Sequence, residues 1–241
     1  MLEKTGKVTL VTTETFENWE PGVASQHGWT SFDADGRNIL GINNGAGSAV
    51  VLPGLPSNQP ASFAVVDNAA SELSPEYFPA TSGSRFLMSI CPGGQVGMAD
   101  DWMISPELSG KAQTVKFNVR NYATYGARFQ VLYSDGAMYI GGFTTSGETG
   151  SVSNAQWHEE SFELPEGTRR MAIRNVSPAD GGFMFMIDDI TFEGAGCSAS
   201  DLKGYNVYRE AECLAQPESA SHTFSEPQSS HLRESSQIRS R

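Results

Sequence analysis

Two acidic signatures stand far apart in this chain. Near the start, Phe16-Glu17-Asn18-Trp19 is followed by Asp33-Ala34-Asp35-Gly36. Near residue 190, Asp188-Asp189 interrupts an apolar run, with Phe183-Met184-Phe185-Met186-Ile187 before it and Ile190-Thr191-Phe192 after. Adjacent carboxylates in such a run cannot be buried as bare charges, because desolvation costs several kcal/mol per ion. They need a cation, a hydrogen-bond network or a strand end that reaches water. If the first and last strands of a sandwich lie side by side, Glu17, Asp33, Asp35, Asp188 and Asp189 converge on one hard cation. Asp33-Ala34-Asp35-Gly36 begins like an EF-hand loop, with acids at positions 1 and 3. Arg37 then takes position 5, and Asn44 stands at position 12, where a bidentate Glu belongs. The loop is therefore not self-sufficient, and further oxygens must come from remote residues. Calcium takes six to eight oxygens at about 2.3–2.6 Å, so carbonyls and water would complete the shell. The competing readings are an Asx-turn at Asp33 and a capped strand end at Asp188. Asp100-Asp101-Trp102-Met103-Ile104 is a weaker candidate of the same kind, with Asp101 as ligand or as a turn residue and Trp102 and Ile104 facing the core.

Other chemistry has little support. Gly83-Ser84 and Gly47-Ser48 lack the partner glycine of a nucleophile elbow. Before the C-terminal tail only His27 and His158 offer a base. Cys91 with His158 forms a pair on paper, but a core or edge thiol explains Cys91 as well. Asn43-Asn44-Gly45-Ala46-Gly47 lacks the third glycine and following helix of a dinucleotide fingerprint and reads as a hairpin. Glu159-Glu160-Ser161-Phe162-Glu163 puts acids on both faces of a strand, the pattern of a solvated strand and not of a glycosidase cleft. Cys91, Cys197 and Cys213 show no C-x-x-C spacing; a Cys197–Cys213 bridge and three free thiols both remain open. These observations point to a binding module and away from an enzyme.

The positioning elements must be strands. Short Val-, Thr- and aromatic-rich segments recur between Gly, Pro, Asn, Asp and Ser. The expected strands are 8–16, 49–52, 61–66, 85–91, 102–105, 114–121, 128–134, 138–143, 157–164, 171–175 and 183–192. No window carries a helical apolar period of helical length. This series predicts an all-β fold, a jelly-roll β-sandwich of two antiparallel sheets. The Pro- and Ser-rich stretch from Gly54 to Gly83 reads as a long loop. Tyr77 and Phe78 in it, together with Tyr122, Tyr125 and Tyr139, are the aromatic candidates for a sugar platform. The expected domain covers 1–194, followed by a linker and isolated strand over 195–210 and a disordered polar tail over 211–241.

At 241 residues, with 39% hydrophobic and 10% aromatic content, the chain can bury one large core. A net charge of −12 leaves no basic stripe to neutralise phosphates, which excludes a nucleic-acid partner. No stretch approaches the roughly 20 apolar residues of a membrane span. Met1 to Lys7 lacks the apolar core of a signal peptide, so any export signal is expected to lie outside this sequence or to have been removed. The acidity suits an extracellular medium containing calcium.

Five motifs occur in one order. They are Phe16-Glu17 with Trp29 and Asp33-Ala34-Asp35-Gly36; Asp101-Trp102-Met103-Ile104-Ser105-Pro106-Glu107-Leu108; Trp157-His158-Glu159; Leu164-Pro165-Glu166-Gly167-Thr168 with Ala172-Ile173-Arg174; and Phe185-Met186-Ile187-Asp188-Asp189-Ile190. In this order the chain, over roughly Val11 to Gly194, resembles the cleaved-adhesin domain of gingipain and haemagglutinin surface proteins. Lys203-Gly204-Tyr205-Asn206-Val207-Tyr208-Arg209 resembles the first strand of the fibronectin-type module that commonly follows. The resemblance implies a non-catalytic jelly-roll β-sandwich resembling carbohydrate-binding modules, with bound calcium, secreted or surface-attached, which adheres to host protein or glycan as one domain of a larger surface protein. A runner-up is an accessory carbohydrate-binding or haemagglutinin-type domain of a secreted protease or glycoside hydrolase. The sequence departs from the pattern at Arg37, where the family often carries another Asp, and after Glu210, where the fibronectin-type strands do not continue.

Overall fold

The computed structural model describes residues 10–44, 47–94, 97–122, 126–147, 149–153, 155–179 and 183–196. The compact unit runs from Thr9 to Ala195. The expected isolated strand, the polar tail, Cys197 and Cys213 lie outside the described residues, as does Tyr125.

Among the described residues, all the regular structure is β apart from one short 3-10 turn at Ile140–Gly142. The strands are β1 Leu10–Glu14, β2 Thr30–Asp33, β3 Ile42–Asn43, β4 Ala49–Val50, β5 Ala64–Asp67, β6 Arg85–Ile90 and β7 Asp101–Ile104. They continue as β8 Gln113–Asn121, β9 Ala127–Ser134, β10 Thr144–Thr145, β11 Gly150–Val152, β12 His158–Leu164, β13 Arg170–Asn175 and β14 Met184–Gly194. One antiparallel sheet has the order β12-β8-β14-β6-β5 with β1 also on β14. The other has β10-β9-β13-β7-β2 with β11 also on β9. The expected two-sheet sandwich is therefore the observed fold, and its first and last strands do pair, from Leu10↔Gly194 to Glu14↔Ile190.

The main core lies between the sheets. Alternation along β8 and β9 sends Val115, Phe117, Val119, Phe129 and Val131 into it, where they meet Phe185, Ile187 and Ile173. Phe129 is its hub: it stacks on Phe185 at 5.0 Å and meets Phe117 and Phe162 edge-on. A second apolar cluster covers the outer face of the first sheet. Ala64, Val66, Phe86, Met88, Met184 and Met186 pack there under Ile39, Leu55, Leu73 and Phe78. Burial on both faces explains why β6 and β14 read as continuous apolar runs instead of alternating.

Two local expectations change. Residues 138–143 hold the 3-10 turn, not a strand, and Met138, Tyr139 and Ile140 project into solvent. Trp102 and Ile104 do not face the main core. Met103 does, and the pleat carries Trp102 and Ile104 to the outer face of the second sheet, beneath Phe32 and Phe143. Short strands β2, β10 and β11 escaped the sequence reading because two to four residues carry too little periodicity. The Asn43–Gly47 turn does join a hairpin, with Ile42↔Val50 and Asn43↔Ala49 paired across it.

Phe129→Ala is expected to lower the unfolding free energy by about 3–5 kcal/mol, because it removes the hub of three ring contacts. Val11→Ala, at a side chain 70% exposed, should stay within about 0.5 kcal/mol. Urea titrations of both variants check the ranking, and similar values would show that the hub does not dominate the core.

Candidate functional site

The five carboxylates do not form the single cluster expected of them. Asp33 ends β2 and Asp101 begins β7, and these two strands pair in the second sheet with Asp33 directly opposite Asp101. Asp35 follows two residues later. One oxygen from each of Asp33, Asp35 and Asp101 lies within 4.8 Å of the other two. Asp101, the weaker sequence candidate, thus takes the place that Glu17, Asp188 and Asp189 were expected to fill. The reason is topological: Asp188 and Asp189 belong to β14 of the opposite sheet.

The local chemistry of the Asp33 cluster is partly that of an Asx-turn. Asp33 Oδ1 accepts the Asp35 and Gly36 amides at 2.9 and 2.8 Å, and Asp35 Oδ1 accepts the Arg37 amide at 2.7 Å. Gly36, at φ 62, closes the turn. Asp35 Oδ2 accepts the Asp100 amide at 2.6 Å, which ties the loop to the start of β7. Asp101 is 2% exposed, and its Oδ2 accepts the Ser89 hydroxyl at 2.6 Å, itself held by the Asn175 amide at 2.7 Å. No described group donates to Asp33 Oδ2 or Asp101 Oδ1. Burial pushes the Asp101 carboxyl up to about 8; the Ser89 bond opposes this, and the like charges of Asp35, Asp33 and Asp100 add to it. Burial also raises Asp35, against two backbone hydrogen bonds.

Asp100 continues the network outward. Its two carboxylate oxygens accept Arg174 Nε at 2.6 Å and Nη2 at 2.8 Å, a bidentate pair, while Arg174 Nη1 donates to Gln130 Oε1 at 3.1 Å. The Arg174 guanidinium also lies 5.1 Å from the centre of the Trp102 ring.

Glu17, Asp188 and Asp189 all hold one other loop, residues 81–85. Glu17 Oε1 accepts the Ser84 and Arg85 amides at 2.9 and 2.7 Å. Asp188 Oδ2 accepts the Thr81 amide at 2.8 Å and its Oδ1 the Asp189 amide at 2.9 Å. Asp189 Oδ1 accepts the Ser82 hydroxyl at 3.2 Å, and its Oδ2 the Asn118 side-chain amide at 3.3 Å. Arg85 completes the tie by donating to the Glu17 and Trp19 carbonyls and to Asp67. Buried Asp188 and half-buried Asp189 are thus accommodated by amides and a hydroxyl, the hydrogen-bond alternative to a cation. Asp188 is fully buried, and burial raises its carboxyl to about 7, with Asp189 adding to the rise and the Thr81 amide opposing it.

The aromatic platform is corrected in part. Phe78 is fully buried in the second apolar cluster and offers no free face, while Tyr122, stacked on it at 5.1 Å, is partly buried. Both close the outer layer of the sandwich, where desolvation outweighs display. Tyr77 is 39% exposed beside Tyr122, and Tyr139 is 69% exposed on the 3-10 turn.

The chain is similar to segments of longer bacterial proteins. It is 24% identical over 217 residues to Lys-gingipain W83 of Porphyromonas gingivalis, an alignment covering 82% of this chain and 11% of the relative. It is also 24% identical over 217 residues to Hemagglutinin A of Porphyromonas gingivalis W83, covering 82% of this chain and 9% of that protein. The chain thus spans about a tenth of the length of the curated relatives it matches. Among solved structures, the K2 cleaved adhesin domain of Lys-gingipain superposes with a TM-score of 0.58 at 22% identity, covering 76% of this chain and 99% of that one. No family model matches. The resemblance read from the five motifs is therefore borne out in sequence and in fold.

Asp188 and Asp101 are raised above the unfolded value of about 3.9, so the folded state holds more protons between the two values. Their contribution to stability is full below about pH 4 and is lost as pH rises toward 7 and 8. In chelator, the wild type should lose stability over that range. Asp188→Asn, which cannot ionise, should flatten the slope, whereas Asp189→Asn, which removes only one like charge that raises Asp188, should flatten it less. Urea unfolding across pH checks this, and equal slopes in all three proteins would refute the buried ionisation of Asp188.

Proposed function

We propose that this chain is a non-catalytic binding module of an extracellular or cell-surface protein, which adheres to host protein or glycan and is stiffened by calcium. Three lines support the module reading: the sandwich fold, the similarity to a cleaved adhesin domain, and the relation to one segment of much longer relatives, one of them a haemagglutinin by name. Among the described residues no helix is long and apolar enough to cross a membrane.

The observation that carries the calcium assignment is the convergence of Asp33, Asp35 and Asp101. The donor set is all oxygen, the preference of a hard cation. Three carboxylates at this spacing repel one another, and burial penalises their ionised forms, as the raised Asp101 and Asp35 carboxyls record. A bound divalent ion supplies the counter-charge that lets all three ionise. In that role Asp33 Oδ2 and Asp101 Oδ1 are the oxygens free of described donors, and Asp35 is held in place by the amides of Arg37 and Asp100. The ion would join the end of β2 to the start of β7 and the loop between them and Arg37.

Calcium at about a hundred times its Kd should stabilise the fold by about 2.7 kcal/mol. For a domain of this size that is roughly 5–10 °C in Tm. Differential scanning calorimetry at pH 8 with calcium or EDTA measures it, and an unchanged melt would sink the assignment. Asp35→Asn should abolish the calcium-dependent shift while Glu17→Gln retains it; the reverse result would move the ion to the loop at residues 81–85.

The binding reading is tested by probing a glycan and matrix-protein array with the purified domain. Specific retention of a glycan or a matrix protein is expected. Turnover of a peptide or polysaccharide by the isolated domain would overturn it. The accessory-domain reading rests on the Lys-gingipain relative, of which this chain matches a small part. Tethering the domain to a protease or glycosidase and finding enhanced turnover of an insoluble substrate would favour it.

A further inference from the structure

The outer face of the second sheet carries an open groove of about 890 Å³ beside the Asp33–Asp35–Asp101 cluster. That volume sits toward the upper end of small-ligand sites, about 300–1,000 Å³. Its floor follows from the pleat. Arg128 and Gln130 alternate outward along β9, and Arg174 does the same on β13, directly opposite Gln130. Ser151 of β11 lies across from Arg128, and Arg37 enters from the turn after Asp35.

Three guanidiniums therefore open into one concavity of a protein whose net charge is −12. They are not equivalent. Arg174 is neutralised by its bidentate pair with Asp100 and oriented by Gln130, so it forms a fixed wall. No ion pair joins Arg37 or Arg128 to a carboxylate among the described residues, although the Arg37 charge is felt by nearby Asp35, and both are exposed. The Arg37 guanidinium lies flat against the Gly97 backbone: a Cβ built on Gly97 would stand 2.7 Å from Arg37 Cζ. Gly97, at φ +97, is the residue type that leaves this room. The rest of the lining is hydroxyl, amide and small apolar surface together with Asp35 and Asp100, Asp100 paired with Arg174 and Asp35 held by the Arg37 and Asp100 amides, with Met98 half exposed at the rim.

We infer that this groove binds a glycan through a carboxylate-bearing sugar, with Arg37 and Arg128 as the carboxylate receptors. The inference rests on the binding-module reading and names its ligand class. Guanidiniums present planar paired donors that match a carboxylate. Ser151 and Gln130 supply donors and acceptors for ring hydroxyls, and Met98 supplies an apolar contact for the ring's C–H face. Among the described lining residues, none larger than Val176 and Met98 offers an apolar anchor for a peptide side chain, which favours a sugar acid over an acidic peptide.

Isothermal titration at fixed calcium tests it with matched pairs of probes: short oligogalacturonates, hyaluronan and alginate oligosaccharides, and sialyllactose. Each is set against its carboxyl-reduced or uncharged counterpart, with oligoglutamate as a peptide control. At least one acidic member should bind tenfold or more tighter than its neutral partner. Arg37→Gln and Arg128→Gln should each weaken it at least tenfold without changing the melt, since neither guanidinium holds the fold together. Lys116→Gln, which makes the same change in net charge on the other sheet, should leave binding intact. The inference is overturned if no acidic sugar binds, if neutral partners bind equally, if the double Arg variant binds as the wild type does, or if oligoglutamate binds as tightly. Binding of a neutral glycan or matrix protein that survives the double variant would overturn it while leaving the module reading standing.

Discussion

The fold turns on a β-bulge at Asp188-Asp189. Phe185 and Ile187 face the inter-sheet core, and so do Ile190 and Phe192, although the step from Ile187 to Ile190 is an odd number of residues. A regular strand would send one pair outward. Asp189, at φ 53, takes the left-handed conformation, and the register with β8 shifts between Asp188 and Thr191. The extra residue restores the inward phase. At the same place one edge of β14 passes from pairing with β6 to pairing with β1. The two carboxylates stabilise this break by accepting the Thr81 and Asp189 amides, the Ser82 hydroxyl and the Asn118 amide. Asp tolerates the left-handed region better than a β-branched or large apolar residue, which accounts for an acid in the middle of an apolar strand.

The opposite sheet uses acids for a different purpose. There, the direct pairing of β2 with β7 places Asp33 across from Asp101, and the Asx-turn that follows folds Asp35 back onto the same spot. Asp100, the neighbour of Asp101, points outward by alternation and fixes Arg174 over Trp102. One dipeptide, Asp100-Asp101, therefore serves both sides of the sheet: its buried member joins the acidic cluster and its outer member forms the wall of the groove. Calcium in that cluster and an anionic sugar in the groove would be mutually supportive, because both place opposite charge beside fixed side chains.

How far the sequence could be read varies with the range of the interaction. Strands of five or more residues with apolar character, such as those at 85–90, 113–121 and 158–164, were legible because side-chain alternation and burial leave a local record. The pairing of the first and last strands also followed from the sandwich architecture. The Asp33–Asp101 contact was missed because β2 has only four residues and its partner lies some seventy positions away. Phe78 looked like a display residue because it sits in a polar stretch, but a long loop that covers a sheet buries its aromatics. The inner and outer faces of Trp102-Met103-Ile104 were misassigned because both faces of that sheet are apolar there, so composition does not say which is the core.

The sequence by itself determined the all-β class, the two-sheet sandwich, the oxygen-rich chemistry of the acids and the family likeness, because these rest on local pattern and ordered motifs. Only the tertiary structure decided which carboxylates meet. It sorted the Asp188-Asp189 pair into a bulge and brought Asp33, Asp35 and Asp101 into one cluster, since strand register and sheet membership are set by packing across the whole chain. The groove with Arg37, Arg128 and Arg174 was equally invisible in the linear chain. Its three guanidiniums come from separate segments, and nothing short of the sheet's pleat and the turn at Gly97 puts them on one face.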